Sequence, residues 1–204
     1  MELLATLAIG YSFGSLSPAA LISKLKKKNL REHGTGNLGA SNTLLVFGKA
    51  LGVFVMVFDI LKAFFAAKLA ELLFPKLAFS GLIAGFAAIV GHNFPFYLHF
   101  KGGKGLAAFG GLVLAHDPLL FAALLSFGIL MALLLNYGVY LAISASLLFP
   151  VCSYLRSGSV PVFAATATAG GLIIAMHWGN LRRAVTGEDP IHTRDGLKKI
   201  FGKH

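Results

Sequence analysis

Apolar residues come in long blocks separated by short polar segments, without the period-3.6 or period-2 stripes of half-buried soluble helices or strands. A helix needs roughly 20 apolar residues to cross a bilayer. Blocks of that kind run over 2–23, 48–70, 77–98, 118–135, 138–156 and 160–178. A shorter, poorly bounded one over 106–116 ends at Asp117-Pro118, where proline stops a helix. The pattern predicts one all-α integral membrane domain over 1–204 with about seven transmembrane helices. A β-barrel would show alternation instead of runs.

Composition agrees. Of 204 residues, 56% are hydrophobic and only 13% charged. Ordinary soluble domains carry about a quarter charged residues, so this chain has too few to cover a soluble surface. The net charge is +10. In a soluble protein that would suggest nucleic acid; in a membrane protein the positions of the charges matter more, and no nucleic-acid partner is expected. Lys24, Lys26, Lys27, Lys28, Arg31 and Lys49 follow the first span. Lys101 and Lys104 follow the third, and Arg182, Arg183, Arg194, Lys198, Lys199 and Lys203 follow the last. The opposite side has Lys76 and Arg156. An odd number of spans gathers the excess on one side, which the positive-inside bias makes cytoplasmic, with the N-terminus outside and the C-terminus in the cytoplasm. The N-terminal MELLATLAIGYSFG lacks a basic n-region and reads as a retained span. GLKKIFGKH, within 191–204, suits a short basic interfacial segment. Cys152 is the only cysteine, so no intrachain disulfide forms.

Three polar segments fall on the basic side. The first, REHGTGNLGASN, spells G-x-G-x-x-G with Gly34, Gly36 and Gly39. A dinucleotide-binding turn needs a buried strand before it and an acid about 20 residues on. Here KLKKKNL precedes it, and Asp59, at roughly that distance, lies inside a span. What remains is the physics: bare backbone N–H groups beside a helix start favour an anion, and Arg31 can clamp one. The plainer alternative is a turn in which Ser41 or Asn42 caps the next helix. The second segment, GHNFPFYLHFKGGKG, sets Lys101 and Lys104 among Gly102, Gly103 and Gly105. It lacks Walker A spacing. It suits phosphate, or else an interfacial turn with snorkelling lysines. The third, MHWGNLRRAVTGEDP, places His177 and Asn180 one helical turn apart beside Arg182 and Arg183, with Trp178 as an interface anchor. His177 suits a general base or a hydrogen-bonding fixture. No HExxH, paired CxxC or Asp-rich cluster occurs, so no metal or other cofactor is expected, and no G-x-S-x-G elbow occurs either. Asp59 and Lys62, i and i+3 on one span, read as an intramembrane ion pair holding the bundle.

These three segments, in this order, with Gly14-Ser15 near the start, resemble the bacterial acyl-phosphate:glycerol-3-phosphate acyltransferases of the PlsY type over nearly the whole chain. The resemblance implies a multi-pass enzyme of the bacterial inner membrane whose active site faces the cytoplasm. It would transfer a fatty acyl group from acyl phosphate to the 1-hydroxyl of glycerol 3-phosphate, beside membrane lipid. The products would be 1-acyl-glycerol 3-phosphate (lysophosphatidic acid) and phosphate, the first step of phospholipid synthesis. It also implies roles: catalytic for Arg31, Ser41, His177 and Asn180, and substrate-binding for Thr35, Gly36, Asn37, Asn42, Lys101, Gly102, Gly103, Lys104 and Gly105. The chain departs from the family pattern by Thr35 for Ser, Ser41 for Thr, a proline displaced to Pro18, and Asp189 beside Glu188 for the tail acid.

Two other classes meet the sequence less well. A transporter would want charged residues at the midplane and inverted repeats. An acyltransferase using acyl-CoA or acyl-carrier protein would favour H-x-x-x-x-D, but His92 is followed at that spacing by Tyr97, and His116 by Phe121.

Overall fold

The computed structural model describes residues 1–188, 193 and 194; among these there are helices and turns but no strand. The segment expected over 191–204, and Asp189, lie outside the described residues except for 193 and 194. The chain packs as two compact units, Met1–Asp117 and Pro118–His204.

In the first unit, α1 (Glu2–Ser15) and α2 (Pro18–Leu25) are two pieces of one 24-residue apolar stretch. The unbroken helix expected over 2–23 is interrupted because Pro18 has no N–H and drives Ser17 into an extended conformation. Ser17 Oγ accepts from Ala20 N at 3.2 Å and starts α2 afresh. Then follow α3 (Ala40–Phe47), α4 (Lys49–Leu73), α5 (Ser80–Asn93) and α6 (Leu106–His116).

Helices α1 and α5 run in the same direction at close range. Side chains at Gly10 and Gly14 would strike the carbonyl oxygens of Ala84 and Ala88, so this G-x-x-x-G stripe lets the two backbones touch. Tyr11 donates to the Phe94 carbonyl at 2.8 Å, and Tyr97 donates to the Ser15 carbonyl at 2.7 Å. This parallel pairing delivers the loops after α2 and α5 to one end of the unit.

Helix α4 is inside-out by the standards of a soluble protein. Phe54, Met56, Leu61 and Phe65 are exposed, whereas Asp59 and Lys62 are buried. Water would disfavour that arrangement; a bilayer favours it, because apolar side chains meet lipid and charges pair inside.

The second unit comprises α7 (Pro118–Leu134), α8 (Val139–Ser157) and α9 (Val160–Thr186). Ser159 caps α9 by accepting from Val162 N at 3.4 Å. The Asn136 carbonyl accepts from Thr193 N at 2.8 Å, and Arg194 Nε donates to Leu133 O at 3.1 Å, so these two tail residues return to the end of α7.

Among the described residues, five stretches are long and apolar enough to cross a membrane: Glu2–Leu25, Lys49–Leu73, Ser80–Leu98, Val139–Ser157 and Val160–Thr186. The other two expected spans are shorter helices of 11 and 17 residues. At 1.5 Å per residue, α6 is roughly 16 Å long, about half the hydrocarbon thickness.

Candidate active site

The first glycine-rich loop is wound around one side chain. Asn42, on the first turn of α3, is fully buried. Its Nδ2 donates to the carbonyls of Leu30 at 2.8 Å, His33 at 3.0 Å and Asn37 at 3.0 Å. Its Oδ1 accepts from Thr35 N at 2.7 Å. Gly34 has positive φ, and a Cβ there would strike Asn42 Oδ1, so glycine lets the loop close over the amide. Upstream, Asn29 Oδ1 accepts from Arg31 N at 3.1 Å and fixes the 3-10 turn Leu30–Glu32 that presents Arg31. Ser23 Oγ joins the end of α2 to this turn, accepting from Leu30 N at 3.1 Å and donating to Lys28 O at 2.8 Å.

The second loop folds back on the end of α5. Gly102 N donates to Asn93 O at 2.9 Å, and Gly103 N donates to His92 O at 3.1 Å. Side chains at Gly102 and Gly103 would strike the His92 carbonyl and the His92 ring, respectively. Gly105, at φ +82°, starts α6. His99 and Phe100 both hold left-handed backbone, costly for non-glycine residues and of a kind that clusters at functional sites.

Arg31 joins the two loops: its Nη2 donates to the carbonyls of Leu98, at 3.3 Å, and Lys101. Beside it lies a cavity of about 360 Å³ lined by Lys24, Lys27, Lys28, Asn29 and Arg31, with Ala20, Ser23, Leu38 and Leu98. Four cations around an opening with an apolar wall suit an anionic group attached to something apolar.

Below the loops lies a buried ionic cluster. Lys62 Nζ is 2.7 Å from Asp59 Oδ1, and it donates to Leu16 O at 2.6 Å and to His92 Nδ1 at 2.9 Å. The Leu16 carbonyl is available because the helix breaks at Pro18. The expected Asp59–Lys62 pair is therefore present, and it is larger than expected, reaching from α4 to the α1–α2 break and to α5.

In the second unit, His177 is buried on α9, and its Nδ1 lies 2.9 Å from the Ile173 carbonyl. A carbonyl only accepts, so Nδ1 carries the ring hydrogen and Nε2 is the basic nitrogen of the neutral ring. Asn180, half-buried, follows one turn later.

A family model described as glycerol-3-phosphate acyltransferase matches residues 4–187. The chain belongs to the glycerol-3-phosphate acyltransferase family. This acyltransferase is 36% identical over 192 residues to the glycerol-3-phosphate acyltransferase of Streptococcus thermophilus (strain CNRZ 1066), covering 90% of each chain. It is 32% identical over 185 residues to that of Geobacillus kaustophilus (strain HTA426), covering 90% of this chain and 93% of the other. Two crystal structures of PlsY (YgiH), an integral membrane glycerol 3-phosphate acyltransferase, are similar throughout. The glycerol 3-phosphate form is 31% identical with a TM-score of 0.88, and the lysophosphatidic acid form is 30% identical with a TM-score of 0.87. Each covers 97% of this chain and 99% of that chain.

Within the acyltransferase, Arg31, Thr35, Ser41 and Lys101 are exposed, Asn37, Gly102 and Lys104 are half-buried, and Gly103 and Gly105 are buried. Gly36 is exposed at φ +70°. Neither Ser41 nor Asn42 caps α3; Gly39 holds that position without a side-chain bond. Asn42 differs from the expected ligand: its polar atoms are turned inward on the loop, so it shapes the site from behind. His92 was not singled out from the sequence, because only the packing of α4 on α5 brings it to Lys62.

Proposed function

We propose that this acyltransferase takes its acyl group from acyl phosphate and places it on the 1-hydroxyl of glycerol 3-phosphate. The products are 1-acyl-glycerol 3-phosphate and inorganic phosphate, the first step of bacterial phospholipid synthesis. The observation that carries this reading is the pair of glycine-rich loops, tied together by Arg31 and flanked by Lys24, Lys27, Lys28, Lys101 and Lys104. Two phosphate-bearing substrates need cations and backbone N–H donors, and these loops supply both. The glycerol 3-phosphate and lysophosphatidic acid forms of the similar PlsY support glycerol 3-phosphate as acceptor and lysophosphatidic acid as product.

Acyl phosphate is a mixed anhydride with a good leaving group, so no covalent enzyme intermediate is required. The 1-hydroxyl oxygen bonds to the acyl carbon, the carbon–oxygen bond to phosphate breaks, and the phosphate departs with that electron pair. The hydroxyl proton ends on the released phosphate. We assign Arg31, Lys104 and the glycine-rich backbone to holding the phosphates and the charge that grows on the leaving group. Thr35, Asn37 and Ser41 line the first loop, and Lys101 the second. His177 Nε2 accepts the hydrogen of the attacking hydroxyl, and Asn180 orients that hydroxyl. Well-held reacting pairs gain roughly 7–11 kcal/mol from orientation.

The same reading makes the chain one functional domain, supported by a family match that runs through both units. It is a protein of the bacterial inner membrane with its N-terminus outside and seven membrane helices, of which α6 is the short one, its roughly 16 Å completed across the bilayer by the flanking loop. The gathering of lysines and Arg31 on the loop side supports a cytoplasmic position for the loops. The test offers labelled glycerol 3-phosphate with palmitoyl phosphate, palmitoyl-CoA or palmitoyl-acyl-carrier protein, each separately. Product with the acyl phosphate alone is expected; product with a thioester instead removes the donor assignment.

A further inference from the structure

An ammonium group has three N–H donors. Around Lys62 Nζ stand three acceptors: Asp59 Oδ1 at 2.7 Å, Leu16 O at 2.6 Å and His92 Nδ1 at 2.9 Å. Lys62 Nζ donates to the Leu16 carbonyl and lies in ion-pair contact with Asp59; an ammonium has no lone pair with which to accept, so at the 2.9 Å contact His92 Nδ1 is the acceptor. Asp59 Oδ1 is farther from Nδ1, at 3.4 Å, than Lys62 Nζ is. A neutral imidazole that accepts at Nδ1 carries its hydrogen on Nε2. The ion pair therefore sets the tautomer of His92.

The His92 side chain is only 6% exposed. Its Nε2 has no hydrogen-bond partner among the described residues. That nitrogen lies against Gly103, where an added Cβ would strike it and would stand 2.7 Å from the Leu38 carbonyl. Leu38 belongs to the first glycine-rich loop and Gly103 to the second. An N–H donor without a partner among the described residues thus sits at the seam of the two loops, not fully closed off, where a ligand oxygen can reach it.

We propose that His92 is a further substrate-binding residue: its Nε2–H donates to an oxygen of a phosphate group held between the two loops, with Lys62 and Asp59 as positioning residues that fix its tautomer. A neutral donor adds recognition there without burying another charge. The inference rests on the reading that these loops hold phosphate substrates.

Three variants separate a ligand role from a packing role. His92→Gln keeps an N–H near the place of Nε2. His92→Asn keeps an acceptor for Lys62 near the place of Nδ1 but removes the distal donor. His92→Phe keeps the ring volume alone. Initial rates are measured with glycerol 3-phosphate and palmitoyl phosphate varied in turn, alongside thermal melting in detergent and calorimetric binding of each phosphate alone. Loss of a hydrogen bond to a charged group corresponds to roughly 10- to 100-fold. His92→Asn should raise KM or Kd for one phosphate by that factor while melting near the wild type; His92→Gln should stay within about fivefold. Where His92→Phe does not fold, the Asn and Gln pair carries the comparison. Normal KM and Kd in His92→Asn would overturn the proposal and leave His92 as packing. Wild-type protein that binds both phosphates but transfers nothing from palmitoyl phosphate sinks the donor assignment alone, and the binding comparison still decides His92. Wild-type protein that binds neither phosphate overturns both.

Discussion

Asn42→Asp is nearly isosteric and keeps the acceptor that receives Thr35 N at 2.7 Å. It replaces the amide NH₂ with an oxygen that faces the carbonyls of Leu30, His33 and Asn37, each 2.8–3.0 Å from the present nitrogen. An NH₂ has two hydrogens, so two donors are shared among three acceptors. Losing two donors removes about 1 kcal/mol each, and leaving the buried Leu30 carbonyl unsatisfied adds about 1–3 kcal/mol. The total is about 3–5 kcal/mol against the closed loop, before any oxygen–oxygen repulsion. At about 1.4 kcal/mol per decade, the closed form loses more than two decades relative to open forms. Apparent affinity then falls by the fraction that remains competent. We expect kcat/KM for glycerol 3-phosphate to fall at least tenfold, mainly through KM, with Asn42→Ala less damaged because it adds no repulsion. Hydrogen exchange provides an independent readout: the Thr35 amide should lose protection in Asn42→Ala. Wild-type kcat/KM in Asn42→Asp, with undiminished loop protection, would refute the role given to this side chain.

Gly103→Ala should reduce kcat/KM at least tenfold, because its methyl meets the His92 ring and the Leu38 carbonyl; Gly171→Ala, with nothing within 4 Å, is the matched control in the same assay. Lys62→Met leaves Asp59 buried without its cation and should destabilise the first unit by about 3–5 kcal/mol, read as a lower Tm in detergent. The double change Asp59→Asn with Lys62→Met should recover part of that loss, and equal Tm values for the single and double variants would contradict the ion-pair account. Lys104→Ala should chiefly raise KM for an anionic substrate, whereas His177→Ala should chiefly lower kcat; a wild-type kcat in His177→Ala removes it from the chemistry.

The membrane class and most helix positions were legible because apolar blocks and charge placement are local properties of the chain. The Asp59–Lys62 pair was legible too, since i and i+3 share a helix face whatever the surroundings. The third member of that cluster was not. His92 is 30 residues from Lys62 and reaches it only through the packing of α4 on α5. Nor did spacing reveal that Lys62 would satisfy the Leu16 carbonyl, because the span over 2–23 reads as unbroken in sequence and the break at Pro18 is what frees that carbonyl. In the first loop the glycines signalled a turn correctly, but the assignment of Asn42 to a ligand missed its inward orientation. That orientation depends on three carbonyls meeting at one point, which is a property of the folded loop. Gly102 and Gly103 suited a phosphate cradle in sequence; the folded chain adds a second reason for them, close approach to the end of α5.

The most direct test of the central claim follows both products in one reaction. Purified protein receives palmitoyl phosphate and labelled glycerol 3-phosphate, and 1-palmitoyl-glycerol 3-phosphate and inorganic phosphate are quantified over time. Equal molar amounts, dependent on both substrates, are the expected result. Phosphate released without ester would show hydrolysis, and ester formed only from a thioester would show a different donor; either would contradict acyl transfer from acyl phosphate to glycerol 3-phosphate.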